Sequence, residues 1–296
     1  MRSHFPSSRI GIVVSTLGYE LLRHCPFIDD AFIYDKQGGS AGMVAYFSII
    51  HSVRKWRPDC IVQLKRFRRN GIIGLLSGAR FRCGFRTDGS APFLTHSLPY
   101  REDVHVYTQN IQLLSLLGIT ECSEVRSELH LTETELSEAR KWLNEQGIVR
   151  EFSVAHFGGV TSGAAFLSLS ARASVLKELN HDGYSVLIGS GDSEQRDATS
   201  LASMVPNSLV ACNLPLRRTM AVMYFSSLFI GTNSGPMHIA AALGKNGVAF
   251  FNGDEKFRND IKKWRPQFDG LKIIPVTPAS ADLDLIRQVN IALKRA

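Results

Sequence analysis

The segment FIGTNSGPMHIAAALG at 229–244 brings together residue types suited to binding an anion. An apolar run ends in small polar residues, and an alanine-rich helical pattern then begins near Gly235. A helix start presents backbone N–H groups and the positive end of the helix dipole, which suit phosphate. Asn233 or Ser234 is suited to cap this helix, and His238 falls on its first turn. A strand, a cap and a helix alone would be structural, so the neighbouring segments decide.

Strand-like and helical segments alternate along the chain, which is the pattern of parallel sheets. The apolar runs predict strands at 9–15, 31–35, 59–64, 152–158, 185–191, 228–232 and 247–253. Helical spacing predicts helices at 43–56, 70–79, 106–118, 170–183, 219–227, 235–244 and near the end of the chain. The series restarts near 147–151, which predicts an α/β protein with two doubly wound domains, 1–147 and 148–296.

The segment between the two series is predicted to be a short strand followed by a helix. Thr132 and Glu135 have the spacing of a capping box, and Gly147 is placed to end the helix.

Composition excludes several classes of protein. The chain has 296 residues, 44% hydrophobic and 21% charged, which is typical of a globular protein. No apolar run approaches the roughly 18–20 residues of a membrane span. The five cysteines are scattered without CxxC spacing, which favours reduced cytosolic thiols over disulfides or a zinc site. We therefore expect a cytoplasmic protein.

The net charge of +7 is unevenly distributed. Seven cations and no acid lie between residues 65 and 86, namely Lys65, Arg66, Arg68, Arg69, Arg80, Arg82 and Arg86. Such a field attracts phosphates, nucleic acid or an anionic membrane, and a simply solvated basic face is equally compatible with it. A nucleic-acid-binding function is disfavoured because the chain lacks a module signature and has few interleaved aromatic residues.

Beyond these local signals, the segment 214–253 strongly resembles the signature of the family-nine glycosyltransferases, the lipopolysaccharide heptosyltransferase type. The matching pieces are Leu216-Arg217, LFIG, NSG, His238, IAAALG and VAFFNG. Other pieces follow in the family's order. AHFGG at 155–159 resembles its His-Pro-Gly-Ala strand end, IGSGDSE at 188–194 its Gly-rich loop, and 59–86 an N-domain strand, loop and helix.

The resemblance implies a glycosyltransferase B fold, with two Rossmann-like domains facing a cleft and an ADP-sugar bound by the C-terminal domain. It implies donor contacts on the diphosphate and nucleoside sides from Thr161, Ser162, Glu194, Asn233, Ser234, Gly235 and His238. It places Arg68 and Arg69 near an anionic glycolipid acceptor. It also implies inverting, metal-independent transfer without a cofactor, and we interpret Asp282 and Asp284 as a solvated helix face rather than a metal site.

Three departures from the family pattern affect these expectations. Asn233 replaces the family's aspartate, and the family's lysine after the His-Pro-Gly loop has no match in the segment 159–170. The opening HFPSSRIGIVVS resembles the end of the family's first helix and its second strand, without the first strand and the Gly-Asp turn that usually supplies the catalytic base. We therefore expect an incomplete N-terminal domain with a break or an exposed edge in its sheet, no assignable base, and a chain with little or no transferase activity as written.

Together these observations predict a glycosyltransferase that moves heptose from ADP-heptose to a lipopolysaccharide core or related glycan. The chain would act in the cytoplasm, with a peripheral contact at the inner membrane surface. The alternative is a degenerate family member that binds a nucleotide-sugar without catalysis.

Overall fold

The structure is a computed structural model that describes residues 1–35, 41–87, 89–120, 127–158, 167–179, 183–277 and 282–294. These residues form an α/β fold with parallel sheets. The chain divides into two compact units, unit 1 (Met1–Val125) and unit 2 (Arg126–Ala296).

Unit 1 contains short strands and helices in alternation. Its strands are β1 (Gly11–Val14), β2 (Asp30–Ile33), β3 (Cys60–Gln63), β4 (Phe81–Arg86) and β5 (His96–Pro99). Its α-helices are α1 (Thr16–Leu22), α2 (Ala41–Trp56), α3 (Arg68–Leu76) and α4 (Val106–Gln112). A 3₁₀ turn at Leu113–Leu117 follows α4 and ends at Gly118, whose φ of 78° is left-handed.

The strands of unit 1 form two separate parallel sheets, β1–β2 and β3–β4–β5. Among the described residues no ladder hydrogen bond joins the two sheets. Side-chain packing connects them instead, because α2 contributes buried Tyr46, Ile49 and Ile50 to one cluster that touches Phe32 of β2 and Ile61 of β3.

Unit 2 contains one larger sheet. Its strands are β6 (Phe152–His156), β7 (Tyr184–Gly189), β8 (Ser208–Cys212), β9 (Leu228–Thr232), β10 (Gly247–Asn252) and β11 (Leu271–Val276). Its α-helices are α5 (Glu133–Glu145), α6 (Leu169–Leu179), α7 (Gly191–Met204), α8 (Leu216–Phe225), α9 (Gly235–Ala242), α10 (Arg258–Trp264) and α11 (Asp282–Lys294).

The six strands of unit 2 are parallel, in the order β11-β10-β9-β6-β7-β8. The chain runs outward from β6 to β8 and then returns to β9, so the strand order reverses between β6 and β9. The residues of β6 are all buried, as are those of β10. In open α/β sheets ligands bind at the carboxyl ends of the strands beside such a reversal. The ends of β6, β7 and β9 are therefore the place to examine.

The segment before β6 agrees with the sequence-based expectations in one respect and differs in another. Thr132 and Glu135 form the predicted capping box at the start of α5, and Gly147 follows the helix with a φ of 76°. The short strand expected just before it is wrong, since residues 127–131 have no strand in the structure. Helix α5 packs against α8 within unit 2. The two compact units are defined by contacts within the chain and do not test the functional division of the domains. The domain boundary at 147–148 therefore stays a prediction.

Where the structure describes the chain, none of its helices has both the length and the apolar character needed to cross a membrane.

Candidate functional site

Three polar side chains from three different elements meet at the carboxyl edge of the sheet of unit 2. His156 is the last residue of β6, Glu194 lies in the first turn of α7, and Ser234 stands between β9 and α9. Glu194 lies 38 residues after His156 along the chain, and Ser234 lies 78 residues after it. The parallel strands bring them together because each strand ends at the same edge.

The His156 side chain is the centre of this cluster. Its ring is buried, and its two nitrogens have different partners: Nδ1 lies 3.0 Å from Ser234 Oγ, and Nε2 lies 3.3 Å from Glu194 Oε2. An ionised carboxylate can only accept, so Nε2 carries a proton and donates to Glu194. The imidazole thus connects the start of α7 with the start of α9.

The Glu194 carboxylate is held in a defined position. Its Oε2 also accepts from the backbone N–H of Ser190, at 2.8 Å. A Cβ on Gly158 would lie only 1.9 Å from Glu194 Oε1, and one on Gly189 would lie 3.0 Å from the Cβ of Glu194. The two glycines therefore leave the space that this side chain fills.

Ser234 is the N-cap residue of α9, but its hydroxyl makes no capping hydrogen bond to the helix. The hydroxyl instead faces His156 and the carbonyl of Thr232, at 3.1 Å. No acidic side chain lies in the first turn of α9. The expectation that Asn233 or Ser234 caps this helix with its side chain is therefore wrong. Asn233 lies one residue before the N-cap, and its backbone N–H donates to Phe250 O at 3.2 Å.

The remaining predicted donor residues are placed as follows. Gly235 is the exposed first residue of α9, and a Cβ there would meet nothing within 4 Å. His238 is exposed on the same helix, one turn along. The structure thus brings Ser234 and Glu194 together through His156, with Asn233, Gly235 and His238 beside them. Thr161 and Ser162 lie outside the described residues.

Glu194 also borders a small cavity of about 30 Å³, whose lining includes Phe157, Arg172 and Asp197. It has room for a few water molecules at roughly 10–15 Å³ each, and it is too small for a nucleotide. Arg172 is buried and donates through Nε to Leu167 O at 3.0 Å, and burial lowers its pKa. A nucleotide bound at this edge would therefore lie outside the cavity.

The chemistry of the nearby residues limits what this site can do. Burial, together with the charge on Glu194, raises the pKa of the Cys212 thiol. Cys212 is therefore a neutral thiol at pH 7 rather than a thiolate nucleophile. Among the described residues no group of three or more His, Cys, Asp or Glu side chains is placed to hold a metal ion. The arrangement is suited to binding an anion beside a hydrogen-bonding carboxylate.

The predicted acceptor residues lie in unit 1, at the start of α3. Arg68 is exposed. Arg69 is partly buried: it donates to Gly42 O at 3.0 Å, and its guanidinium lies 4.5 Å from the ring centre of Tyr46. Arg69 therefore ties α3 to α2, in addition to any role at a ligand.

The other cations of the basic run are likewise of two kinds, those with contacts inside unit 1 and those exposed on its surface. Arg66 stacks on Tyr100, with the guanidinium 3.5 Å from the ring centre, and Arg82 donates to Phe93 O at 2.8 Å. The exposed members of the run are Lys65, Arg68, Arg80 and Arg86. Of these, Arg80 precedes β4, whereas Lys65 and Arg68 follow β3 and Arg86 is the last residue of β4. A positive patch thus lies at the carboxyl edge of the three-stranded sheet.

Sequence reasoning missed His156. A histidine at the end of a predicted strand gives no periodic signal, and the segment AHFGG was noted only for its resemblance. The signal that was available is a polar residue ending an otherwise apolar strand at the carboxyl edge of a parallel sheet, where ligand-facing side chains occur.

Comparison with known proteins gives a consistent result. Residues 46–266 match the model of "Glycosyltransferase family 9 (heptosyltransferase)". A curated protein of Haemophilus influenzae named "Putative glycosyltransferase" is 21% identical over 292 residues, covering 94% of this chain and 83% of that protein.

Two solved structures share the fold. The crystal structure of a glycosyl transferase family 9 protein from Veillonella parvula superposes with a TM-score of 0.87 at 17% identity, covering 100% of this chain and 91% of that one. The E. coli ADP-heptose lps heptosyltransferase II superposes with a TM-score of 0.79 at 17% identity, covering 99% and 92% of the two chains.

Proposed function

The chain belongs to glycosyltransferase family 9, and from that premise we propose that it transfers heptose from ADP-heptose to a lipopolysaccharide core or a related cell-surface glycan. The observation that carries the proposal is the convergence of Glu194 and Ser234 on His156, beside the side-chain-uncapped start of α9. The heptose donor and the lipopolysaccharide acceptor follow the printed name of the E. coli relative.

The donor diphosphate would lie against the first turn of α9. Backbone N–H groups and the helix dipole neutralise its charge there, and the exposed Gly235 lets the phosphates approach the backbone. Glu194 would accept hydrogen bonds from the ribose hydroxyls. Thr161 and Ser162 remain proposed contacts on the phosphate side.

The reaction would be a direct displacement. An acceptor hydroxyl attacks the anomeric carbon of the donor, a general base removes its proton, and the N–H groups of α9 stabilise the departing diphosphate. The configuration at the anomeric carbon is inverted, and the helix end takes the charge-neutralising role that a metal ion has in other transferases. We assign no residue to the base.

The acceptor would be anionic, since Lys65, Arg68 and Arg86 form an exposed patch at the carboxyl edge of the three-stranded sheet. Arg68 is the better candidate for a phosphate contact, because Arg69 already bonds Gly42 and stacks on Tyr46.

A peripheral location at the inner membrane is supported by α2. Met43, Val44 and Phe47 are 62%, 73% and 58% exposed, and Arg54 and Lys55 are exposed further along the helix. Apolar side chains beside cations suit an anionic lipid surface. Flotation with vesicles of phosphatidylglycerol should carry the protein, and vesicles of phosphatidylcholine should carry less of it.

Calorimetry with ADP, followed by a transfer assay with ADP-heptose, tests the donor assignment. ADP should bind the native chain, and Gly235→Trp should abolish binding because an indole would block the start of α9. Unchanged affinity in that variant would place the donor elsewhere. Binding of ADP without any turnover of ADP-heptose would favour the alternative, a non-catalytic nucleotide-sugar-binding protein.

A further inference from the structure

We infer that His156 is a positioning residue of the donor site, which holds Ser234 away from α9 and Glu194 in its place. The inference rests on the proposed function, since it assigns a role within the same site. His156 itself is buried and is not proposed to touch the donor.

The first step concerns the hydroxyl of Ser234. A serine at an N-cap position normally accepts from the N–H groups of the first helical turn. Ser234 has the extended backbone of such a cap, with φ −155° and ψ 172°, yet its side chain makes no capping bond. Its hydroxyl is turned toward His156 Nδ1, at 3.0 Å. The second residue of α9, Pro236, has no N–H, and the N–H of Met237 donates to Ser234 O at 3.2 Å. His156 thus keeps the serine hydroxyl from becoming a second acceptor for the Met237 N–H, which an anion at this turn would use.

The second step follows the protons through the cluster. Nε2 of His156 donates to Glu194, so the second nitrogen decides the direction of the bond to Ser234. A protonated Nδ1 donates to Ser234 Oγ, and the serine proton goes to Thr232 O, at 3.1 Å. An unprotonated Nδ1 accepts the serine proton instead. In both cases the hydroxyl proton of Ser234 points into the protein, so the donors that this turn offers to the diphosphate are backbone N–H groups.

The third step concerns the other end of the imidazole. The Nε2 bond of 3.3 Å and the Ser190 N–H at 2.8 Å hold the same oxygen of Glu194. Gly158 leaves the space for the second oxygen. One buried side chain therefore sets the geometry of both the nucleoside end and the phosphate end of the proposed donor site.

The two ends can be separated by substitution, because the amide of glutamine lies near the position of Nε2 and that of asparagine near Nδ1. His156→Gln keeps a donor for Glu194 and releases Ser234, which can then cap α9. His156→Asn keeps the contact to Ser234 and removes the donor to Glu194. We expect His156→Gln to weaken the binding of pyrophosphate about tenfold and to leave the affinity for adenosine nearly unchanged. His156→Asn should weaken the binding of adenosine and leave that of pyrophosphate nearly unchanged.

A second substitution distinguishes positioning from simple structural support. In the His156→Gln background, Ser234→Ala removes the competing hydroxyl and should restore most of the pyrophosphate and ADP affinity. If His156 only supports the fold, the double variant binds ADP more weakly than His156→Gln alone or Ser234→Ala alone. The inference would also be overturned if His156→Gln and His156→Asn each lost adenosine and pyrophosphate affinity equally, or if neither variant lost any.

Amide hydrogen exchange gives a readout without any ligand. The Met237 amide, which is the first-turn N–H that a capping Ser234 would reach, should be more protected in His156→Gln than in the native chain, and this protection should disappear in His156→Gln with Ser234→Ala. Unchanged exchange would refute the role of His156. If the native chain binds no ADP but the exchange changes as expected, the proposed function fails and the positioning role stands.

Discussion

Substituting Gly158 by alanine is the sharpest test of the position of Glu194. The new Cβ would lie 1.9 Å from Glu194 Oε1. The backbone at Gly158 is held by the hydroxyl of Thr232, which donates to Gly158 O at 2.7 Å. The carboxylate is the flexible partner, so it moves. To reach even a tight 3.0 Å contact, Oε1 must retreat by about 1.1 Å.

That retreat changes binding more than folding. The carboxylate holds the long 3.3 Å bond between Glu194 Oε2 and His156 Nε2, so a displacement of this size perturbs that bond. The displaced carboxylate would also lose its proposed contact with the ribose hydroxyls of ADP, and a lost hydrogen bond to a charged group costs about 1.5–3 kcal/mol. We therefore expect the affinity for ADP to fall by roughly 10- to 100-fold, while the chain remains folded.

The assay is calorimetry with ADP, with circular dichroism melts alongside. Gly42→Ala is a matched control, because a Cβ at that glycine would meet nothing within 4 Å. Native ADP affinity in a folded Gly158→Ala variant would refute the assignment of Glu194 to the nucleoside end.

Three further predictions concern stability and charge. The buried bidentate hydrogen bonds from Arg217 lower the pKa of Glu135 to about 2 from an ordinary 4.5. The pair therefore stabilises the fold above pH 4.5 and loses this contribution as the pH falls toward 2. In urea unfolding, Glu135→Gln should lower the free energy of unfolding by about 3 kcal/mol at pH 7, and the difference from the native chain should shrink between pH 4.5 and pH 2. Asn233→Asp should leave the melting temperature unchanged or raise it slightly, because a carboxylate near the start of α9 interacts favourably with the helix dipole. The same substitution should weaken the binding of ADP. A drop of several degrees in the melting temperature would contradict this placement. Arg68→Glu should reduce transfer to an anionic acceptor and spare ADP binding, whereas Arg80→Glu, the same change at the amino end of β4, should reduce neither; equal effects would refute a local patch.

The regular elements of unit 2 were largely predictable from the sequence, because apolar runs such as 152–158 and 228–232 are long and buried. Strand β11 was missed because Pro275 interrupts it. Proline lacks the N–H that a central strand needs, but within the described residues β11 is an edge strand that pairs with β10 alone. Strand β4 was missed for a different reason, since its arginines at 82 and 86 were counted in the basic run rather than as strand positions.

The candidate site was predictable in its location but not in its contacts. The turn after β9 and the glycine-rich loop after β7 are local patterns, and both lead to the carboxyl edge of the sheet. The contacts of His156 with Glu194 and Ser234 depend on strand order, which no local pattern encodes. The same limit explains the capping error, because only the three-dimensional contact shows that the hydroxyl of Ser234 is turned away from its helix.

The division of unit 1 into two sheets has a consequence for its cooperativity. Strands β1 and β2 exchange ladder hydrogen bonds only with each other within the described part of the chain, and a two-stranded sheet is marginal by itself. Their attachment to the rest of unit 1 depends on apolar contacts such as that of Phe32 with the α2 cluster. This pair of strands can therefore detach as a subglobular opening without breaking any ladder of β3–β5, and protease cleavage under native conditions should begin there before it reaches the sheet of unit 2.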